Sequence, residues 1–354
     1  MNWEVIKLTV LSLGLLCWIY SSRATENIFI KTIFTKWYLY AEGILFMITS
    51  KDTNKLSSKY NPDPDLLLKH PNAIITTKTV IFMRHGESDW NDIFNKGFGP
   101  SIFLRLFGGF YRETKLLITM DSVFLDSGLN HEGFEQAKEL SKYLDGRPAA
   151  CDPSESEDLR ALYDVINGRN GDSVIVSSNL RRAIATTTVA MWPRLRRTQE
   201  KIHILSNLQE ISRNIDTKAL AGRGVIPDLH RVGEYLPDPA LFKQDELYDV
   251  TENLGNKTSY FNGIKRLKAF NDWAFKRNES TIIVGGHSLW FKHYFQVYLP
   301  FSSDHPAKTK KIVNSGVIAL TLQRFTDEHG TLLGYRVEPS SIKTLYGGFM
   351  VKNM

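Results

Sequence analysis

The chain has 354 residues, 42% of them hydrophobic and 23% charged, which is enough apolar material for a sizeable core and too much for a disordered protein. Its formal charge of +6 suits a phosphorylated ligand or an anionic membrane surface, whereas the lack of a tight Lys/Arg block interleaved with aromatics sets nucleic acid aside as a partner. With Cys17 and Cys151 as the only cysteines, neither a disulfide framework nor a thiolate metal cluster is expected.

The N-terminal region reads differently from the rest. Val5 to Tyr20 is nearly all apolar but is interrupted by Lys7, and it falls short of the roughly 20 residues that span a bilayer comfortably. Residues 1–22 therefore read as a hydrophobic anchor or a signal-peptide core, giving membrane association through the N-terminus. The next stretch, NIFIKTIFTKWYLYAEGILFMI, mixes aromatics, aliphatics and two lysines as an interfacial helix does. Arg23, Lys31 and Lys36 follow the apolar run, which favours a cytosolic body. A cleaved signal would instead place the body in the lumen, where Asn256 and Asn278 would fit the glycosylation acceptor pattern. Residues 23–73 read as a membrane-proximal segment ending in a linker, because Pro62, Pro64 and Pro71 among polar residues suit neither helix nor strand.

From Ile74 to the end the chain alternates β-branched apolar runs with segments of helical spacing. The strand candidates are TVIFM (79–83), SVIVSS (173–178), TIIVGG (281–286) and GVIALTL (316–322). Phe134, Ala137, Leu140 and Leu144 share one helical face, as do Ile264, Leu267, Phe270 and Ala274. The expected fold is α/β, a three-layer sandwich with a mostly parallel sheet flanked by helices.

Three of these strands end in polar residues: RHGES after the first, SNLRRA after the second and HSLW after the third. In open α/β sheets ligands bind outside the carboxyl ends of strands, so these ends are expected to converge on one crevice. Gly86 would allow a sharp turn that brings backbone N–H groups to an anion. The arginines of SNLRRA fall in the first turn of a helix capped by Ser178 or Asn179, where exposed donors and the dipole favour an anion. Their planar forks can grip phosphate oxygens in pairs.

Six blocks in chain order resemble the histidine phosphatase superfamily, the phosphoglycerate mutase-like clan. They are RHGES with Trp90 and Asn91, LNHEGFEQA (129–137), SNLRRA (178–183), LQEI (208–211), GGHS (285–288) and NSGVIAL (314–320). The resemblance covers most of 78–322 and implies a phosphomonoester hydrolase acting through a phosphohistidine, with a mutase as the alternative. By that resemblance His85 is the nucleophile, and Arg84, Arg182 and His287 neutralise the phosphoryl oxygens. Glu210 matches the acid and base position, with Asp216 or Glu87 as substitutes. Asn91 and Gly86 would contact the phosphoryl group, and Arg181 or Arg213 the remainder of a phosphorylated small-molecule substrate. Arg181 and Arg182 are adjacent and cannot both face one pocket. No metal and no cofactor are implied.

Two departures stand out. An apolar, aromatic and basic insertion at about 92–125 replaces a short connection, and reads as a lid, as a membrane-leaning amphipathic segment or as a simply packed insertion. In GGHSLW the histidine is followed by serine, so Gly286 to Trp290 also resembles a serine-hydrolase nucleophile elbow centred on Ser288, although Trp290 stands where that turn wants glycine. A non-catalytic phosphate-binding protein is the third alternative.

Overall fold

The computed structural model describes residues 3–23, 27–54, 56, 61–97, 99–150, 157–258 and 262–350. Its strands are β1 (Ile74–Arg84), β2 (Ser173–Ser177), β3 (Ile202–Ile204), β4 (Tyr248–Asp249), β5 (Thr281–Gly286), β6 (Val317–Thr326), β7 (Leu332–Val337) and β8 (Lys343–Tyr346). Its helices are α1 (Trp3–Arg23), α2 (Ile28–Thr49), α3 (Asp89–Phe94), α4 (Ser101–Leu116), α5 (His131–Ala150), α6 (Glu157–Ile166), α7 (Arg181–Thr198), α8 (His230–Glu234), α9 (Gln244–Leu247), α10 (Gly263–Ala274) and α11 (Ser288–Tyr298).

One sheet runs in the order β4-β3-β2-β5-β1-β6-β7, with β8 also paired to β6. The first five strands of that order are parallel, while β6 is antiparallel to β1 and carries β7 and β8 antiparallel to itself. The four apolar runs are thus β1, β2, β5 and β6, but the last enters in the opposite direction. Its composition marks burial on both faces and says nothing about direction.

Both faces of the sheet are covered, which is why these strands are continuously apolar. Val80, Phe82, Val176, Ile282 and Val284 enter one core with α10 and α11, and Ile81, Met83, Ile175 and Ile283 enter the other with α5, α6 and α7. Phe82 anchors the first core, stacked on Phe291 at 4.3 Å and edge-on to Trp290, Tyr294 and Phe295. Truncating such a ring to alanine costs about 3–5 kcal/mol.

Among the described residues no helix is long and apolar enough to cross a membrane. The reading of residues 1–22 as a membrane anchor therefore finds no support in a spanning helix. Lys7 lies within α1, and α2 carries Lys31, Lys36 and Glu42. The two helices form a hairpin in which a side chain at Gly14 would meet Ala41 Cβ at 3.4 Å. Asn27 caps α2, accepting from the Phe29 and Ile30 amides. Beyond the hairpin the proline-rich linker is built into the body. Asp52 and Leu56 are buried, and Pro64–Lys69 forms a 3-10 turn whose Asp65 meets Arg336 at 2.8 Å.

The insertion folds into α3 and α4 and packs on α2. Buried Lys36 Nζ pairs with Glu113 Oε1 at 3.0 Å and donates to the carbonyls of Leu116 and Asp121. Asn256, one of the two glycosylation-pattern asparagines, has its amide engaged with Gln209 and Ala219, so an attached glycan would break interior bonds. Asn278 is exposed, and Cys151 lies outside the described residues.

Candidate active site

The parallel register sets Arg84 opposite Gly286 and Ser177 opposite Gly285. The residues just past three adjacent strands, His85, Ser178 and His287, consequently lie at the same edge of the sheet. Backbone bonds from His85 N to Gly286 O (3.0 Å) and from Ser178 N to Gly285 O (2.9 Å) carry the pairing past the strand ends. Glycine is required at both positions of β5, since a side chain on Gly285 would strike Thr187 Oγ1 and one on Gly286 would reach Phe291 Cζ at 2.8 Å.

His85 is only 4% exposed. Its Nδ1 lies 2.6 Å from Gly86 O, and because a carbonyl can only accept, this contact assigns the proton to Nδ1 and leaves the Nε2 lone pair free. Burial, reinforced by Arg182 and Arg84, holds the imidazole well below its ordinary range, so it stays neutral at physiological pH. The His287 ring centroid lies 5.2 Å away. His287 Nε2 pairs with Ser178 Oγ at 2.8 Å, and its Nδ1 is buried without a protein partner.

Two buried guanidiniums electrostatically couple to these rings. Arg84 donates Nη1 to Ile312 O at 2.6 Å and has its Nε buried without a partner. Burial, opposed by Glu210 and aided by Arg182, brings it down to about 10, still cationic at neutral pH. Arg182 donates Nη1 to Asp216 O at 3.0 Å, with Nη2 3.3 Å from Asp216 Oδ2. Burial nonetheless outweighs the attraction of Arg182 and, with the like charge of Glu210, pushes the Asp216 carboxyl up to about 6. Ser315, at φ 55°, closes the β6 side with its amide 3.4 Å from His85 O and its Oγ buried without a partner. Asn91 Nδ2 on α3 is another buried donor of this kind. Orphaned buried donors are rare and need an explanation, and of those in the described residues Arg84 Nε, His287 Nδ1 and Ser315 Oγ belong to residues at the His85 end of the sheet.

Glu210 follows β3, and its Oε1 accepts from Ile211 N (3.1 Å) and from Trp290 N (2.8 Å) in the first turn of α11. Its backbone is tied down by a knot that no sequence spacing announces. Buried Lys257 donates to Glu210 O at 2.5 Å and Ser212 O at 2.8 Å, and Arg266 donates to Gln209 O and, at 3.4 Å, to Glu210 O. Asp52, from the segment after α2, closes the knot at 2.9 Å from Lys257 and 2.6 Å from Arg266, and accepts from Ser212 N. Burial alone would raise the Asp52 carboxyl, but the two cations hold it below its ordinary range. Burial brings the Lys257 ammonium down to about 8 against the pull of Asp52.

Other residues singled out in the sequence lie elsewhere. The guanidinium of Arg181 is consumed by Asp121 and by the carbonyls of Asp126 and Ser122, and it lines a separate cavity of ≈ 270 Å³ with Asp89, Arg112 and His230, away from Arg182. Exposed Arg213 reaches Asn54 at 3.2 Å. Glu87 faces Asn130 and Lys96. Gly86 gives its N–H to Thr186 Oγ1, and its lack of a side chain serves close packing, because a Cβ there would collide with Gly133 O. The cap of α7 is Leu180 rather than Ser178 or Asn179, and Asp126 Oδ1 takes the Arg181 amide instead. Ser288 is buried, and among the described residues no histidine is hydrogen-bonded to its Oγ.

No family profile and no curated protein matches the chain. Solved structures do. Phosphoglycerate mutase from Bacillus anthracis str. Sterne is 16% identical, with 75% of this chain and 92% of that one covered at a TM-score of 0.37. A mycobacterial glucosyl-3-phosphoglycerate phosphatase is 14% identical, with 74% and 98% covered and a TM-score of 0.34. Phosphoserine phosphatase from Entamoeba histolytica is 15% identical, with 73% and 96% covered and a TM-score of 0.31. These are members of the superfamily that the six blocks resemble.

Proposed function

We propose that the chain is a phosphomonoester hydrolase working through a phosphohistidine on His85. The observation that carries this reading is the neutral His85 imidazole, its Nδ1 engaged by the Gly86 carbonyl, buried beside Arg84, Arg182 and His287. The free Nε2 lone pair attacks phosphorus, and the bond from phosphorus to the ester oxygen breaks. Arg84, Arg182 and the His287 Nδ1 edge take up the charge on the phosphoryl oxygens. Glu210 relays the proton of a phosphoester monoanion to the departing oxygen, then accepts one from the water that cleaves the phosphorus–nitrogen bond and passes it to the departing phosphate, returning His85 to its starting form. Asp216, pushed up to about 6, is the second carboxyl within electrostatic reach of Glu210.

A mutase is the second reading, favoured by closure of the site. His85, Glu210 and His287 are 4%, 6% and 0% exposed, and a phosphohistidine shielded from water lasts long enough to return its phosphoryl group to a reoriented acceptor. A serine hydrolase is disfavoured, because His287 pairs with Ser178 rather than Ser288 and, among the described residues, its Nδ1 has no carboxylate to complete a triad. A purely phosphate-binding role leaves the intact nucleophile and its arginine unused. Purified full-length protein is to be incubated with a panel of phosphomonoesters and with phosphoglycerates. Free phosphate supports hydrolysis, isomer without phosphate release moves the assignment to a mutase, and neither product overturns both.

A further inference from the structure

The insertion helix α4 is apolar on its solvent side as well as on the side where Leu106 and Leu116 pack against Ile93, Val123 and Phe124. Its polar Glu113 is buried against Lys36, whereas Phe103, Leu104, Phe107, Phe110 and Tyr111 stand 74%, 77%, 75%, 60% and 55% exposed. Positions 103, 107, 110 and 111 form one stripe at helical spacing, and Leu104 widens it. The surface of a soluble body does not gather such a set of large apolar side chains without a purpose.

The hairpin packed beside α4 shows the same character. On α1, Leu8, Leu11, Leu13, Leu15, Leu16 and Trp18 are all at least half exposed. Their positions point around most of the helix circumference, and a helix apolar all round wants an apolar surrounding on every side, which a protein partner docked on one face does not give. On α2, Trp37 is 53% and Met47 45% exposed. The two arms are joined by the Lys36–Glu113 pair and by Tyr40 OH to Ser122 Oγ at 3.2 Å. Cations accompany the apolar stripe of α4: exposed Lys115, whose Nζ lies 4.3 Å over the Tyr111 ring, and exposed Arg112, which is also paired to Asp89 at 2.6 Å. Aromatic and aliphatic side chains beside basic ones, on a chain of charge +6, match the composition of helices that lie in the headgroup region of an anionic bilayer.

We propose that α4 and the α1–α2 hairpin together form a docking surface for an anionic phospholipid bilayer, with α4 lying in its interface and the more uniformly apolar α1 entering the acyl region without spanning it. The proposal is independent of the catalytic reading. Because Lys36 and Tyr40 link α2 to the insertion while Asp52, three residues past α2, ties into the Glu210 loop, the docked elements are the same ones that support the site.

The test is co-sedimentation of the full chain with vesicles of phosphatidylcholine alone and of equimolar phosphatidylcholine and phosphatidylserine. It is run beside Phe103→Asp/Phe107→Asp, whose mutated side chains are solvent-facing and whose folding is checked by circular dichroism. The parent is expected to pellet with the mixed vesicles and far less with phosphatidylcholine alone, and the double variant to partition roughly tenfold or more weakly. Equal pelleting of parent and variant overturns the α4 surface. Failure of the parent to bind either vesicle overturns the whole proposal, as does sedimentation equilibrium showing a parent dimer that the variant abolishes, since a second copy would then be the occupant.

Discussion

Two buried groups of cations flank Glu210, and they differ in what neutralises them. On one side Lys257 and Arg266 are closed by Asp52, a carboxylate held ionised between them. On the other, Arg84 meets only a carbonyl, and Arg182 meets Asp216, a carboxyl that burial pushes up to about 6. A buried charge left without a full partner is costly, and the second group, with no carboxylate held ionised between its cations, is the one an outside anion would complete, although Arg266 Nε in the first group also lacks a partner among the described residues. The contrast separates support from chemistry among residues that look alike in the sequence.

The sharpest way to break the contrast is at the nucleophile. His85→Gln should lower phosphomonoesterase turnover by about 10⁴-fold or more while leaving the denaturation midpoint close to the parent's, because a neutral buried group replaces a neutral buried group. Asp52→Ala should do the reverse. Stranding Lys257 and Arg266 should cost about 3–5 kcal/mol in urea unfolding, with activity falling only as far as the Glu210 loop loosens. Arg182→Ala should reduce turnover by about 10²–10³-fold and abolish the rise in melting temperature that inorganic phosphate gives the parent.

Asp216 supplies a pH test. Its folded value of about 6 lies above the ordinary carboxyl value of 3.8, so across that window the folded chain keeps a proton the unfolded chain has lost. Its stabilising contribution is full below the unfolded value and is lost as pH rises through about 6. Relative to the parent, Asp216→Asn should therefore gain about 2 kcal/mol between pH 4 and pH 7, and a flat difference would contradict the assignment. The smallest effect is expected from Ser288→Ala, with activity within about twofold of the parent. A large loss there would revive the serine reading.

The parallel core of the fold was legible because β1, β2 and β5 are buried on both faces and so read as unbroken β-branched runs. The antiparallel entry of β6 was not, and neither were β3 and β4, which at three and two residues are too short to show a period. At the site, Arg84, His85 and His287 were visible as polar residues at apolar strand ends. Asp52 was not, since its partners Lys257 and Arg266 lie 205 and 214 residues away and it sits in a segment whose prolines read as linker. Lys36 was hidden differently. A lysine on an apolar helix reads as interfacial, and only the fold reveals Glu113 waiting for it. Of the adjacent arginines, the family resemblance favoured Arg182 over Arg181 for the phosphoryl oxygens, and their neighbouring helix positions send Arg181 to Asp121 and Arg182 to Asp216.

The most direct measurement is to mix the protein with a radiolabelled phosphomonoester, quench in alkali within milliseconds and map the label by mass spectrometry. A phosphoryl group on His85 Nε2 that survives alkali, is lost in acid and disappears in His85→Gln is the predicted result. Turnover without any such adduct, or label on Ser178 or Ser288, would contradict the phosphohistidine route.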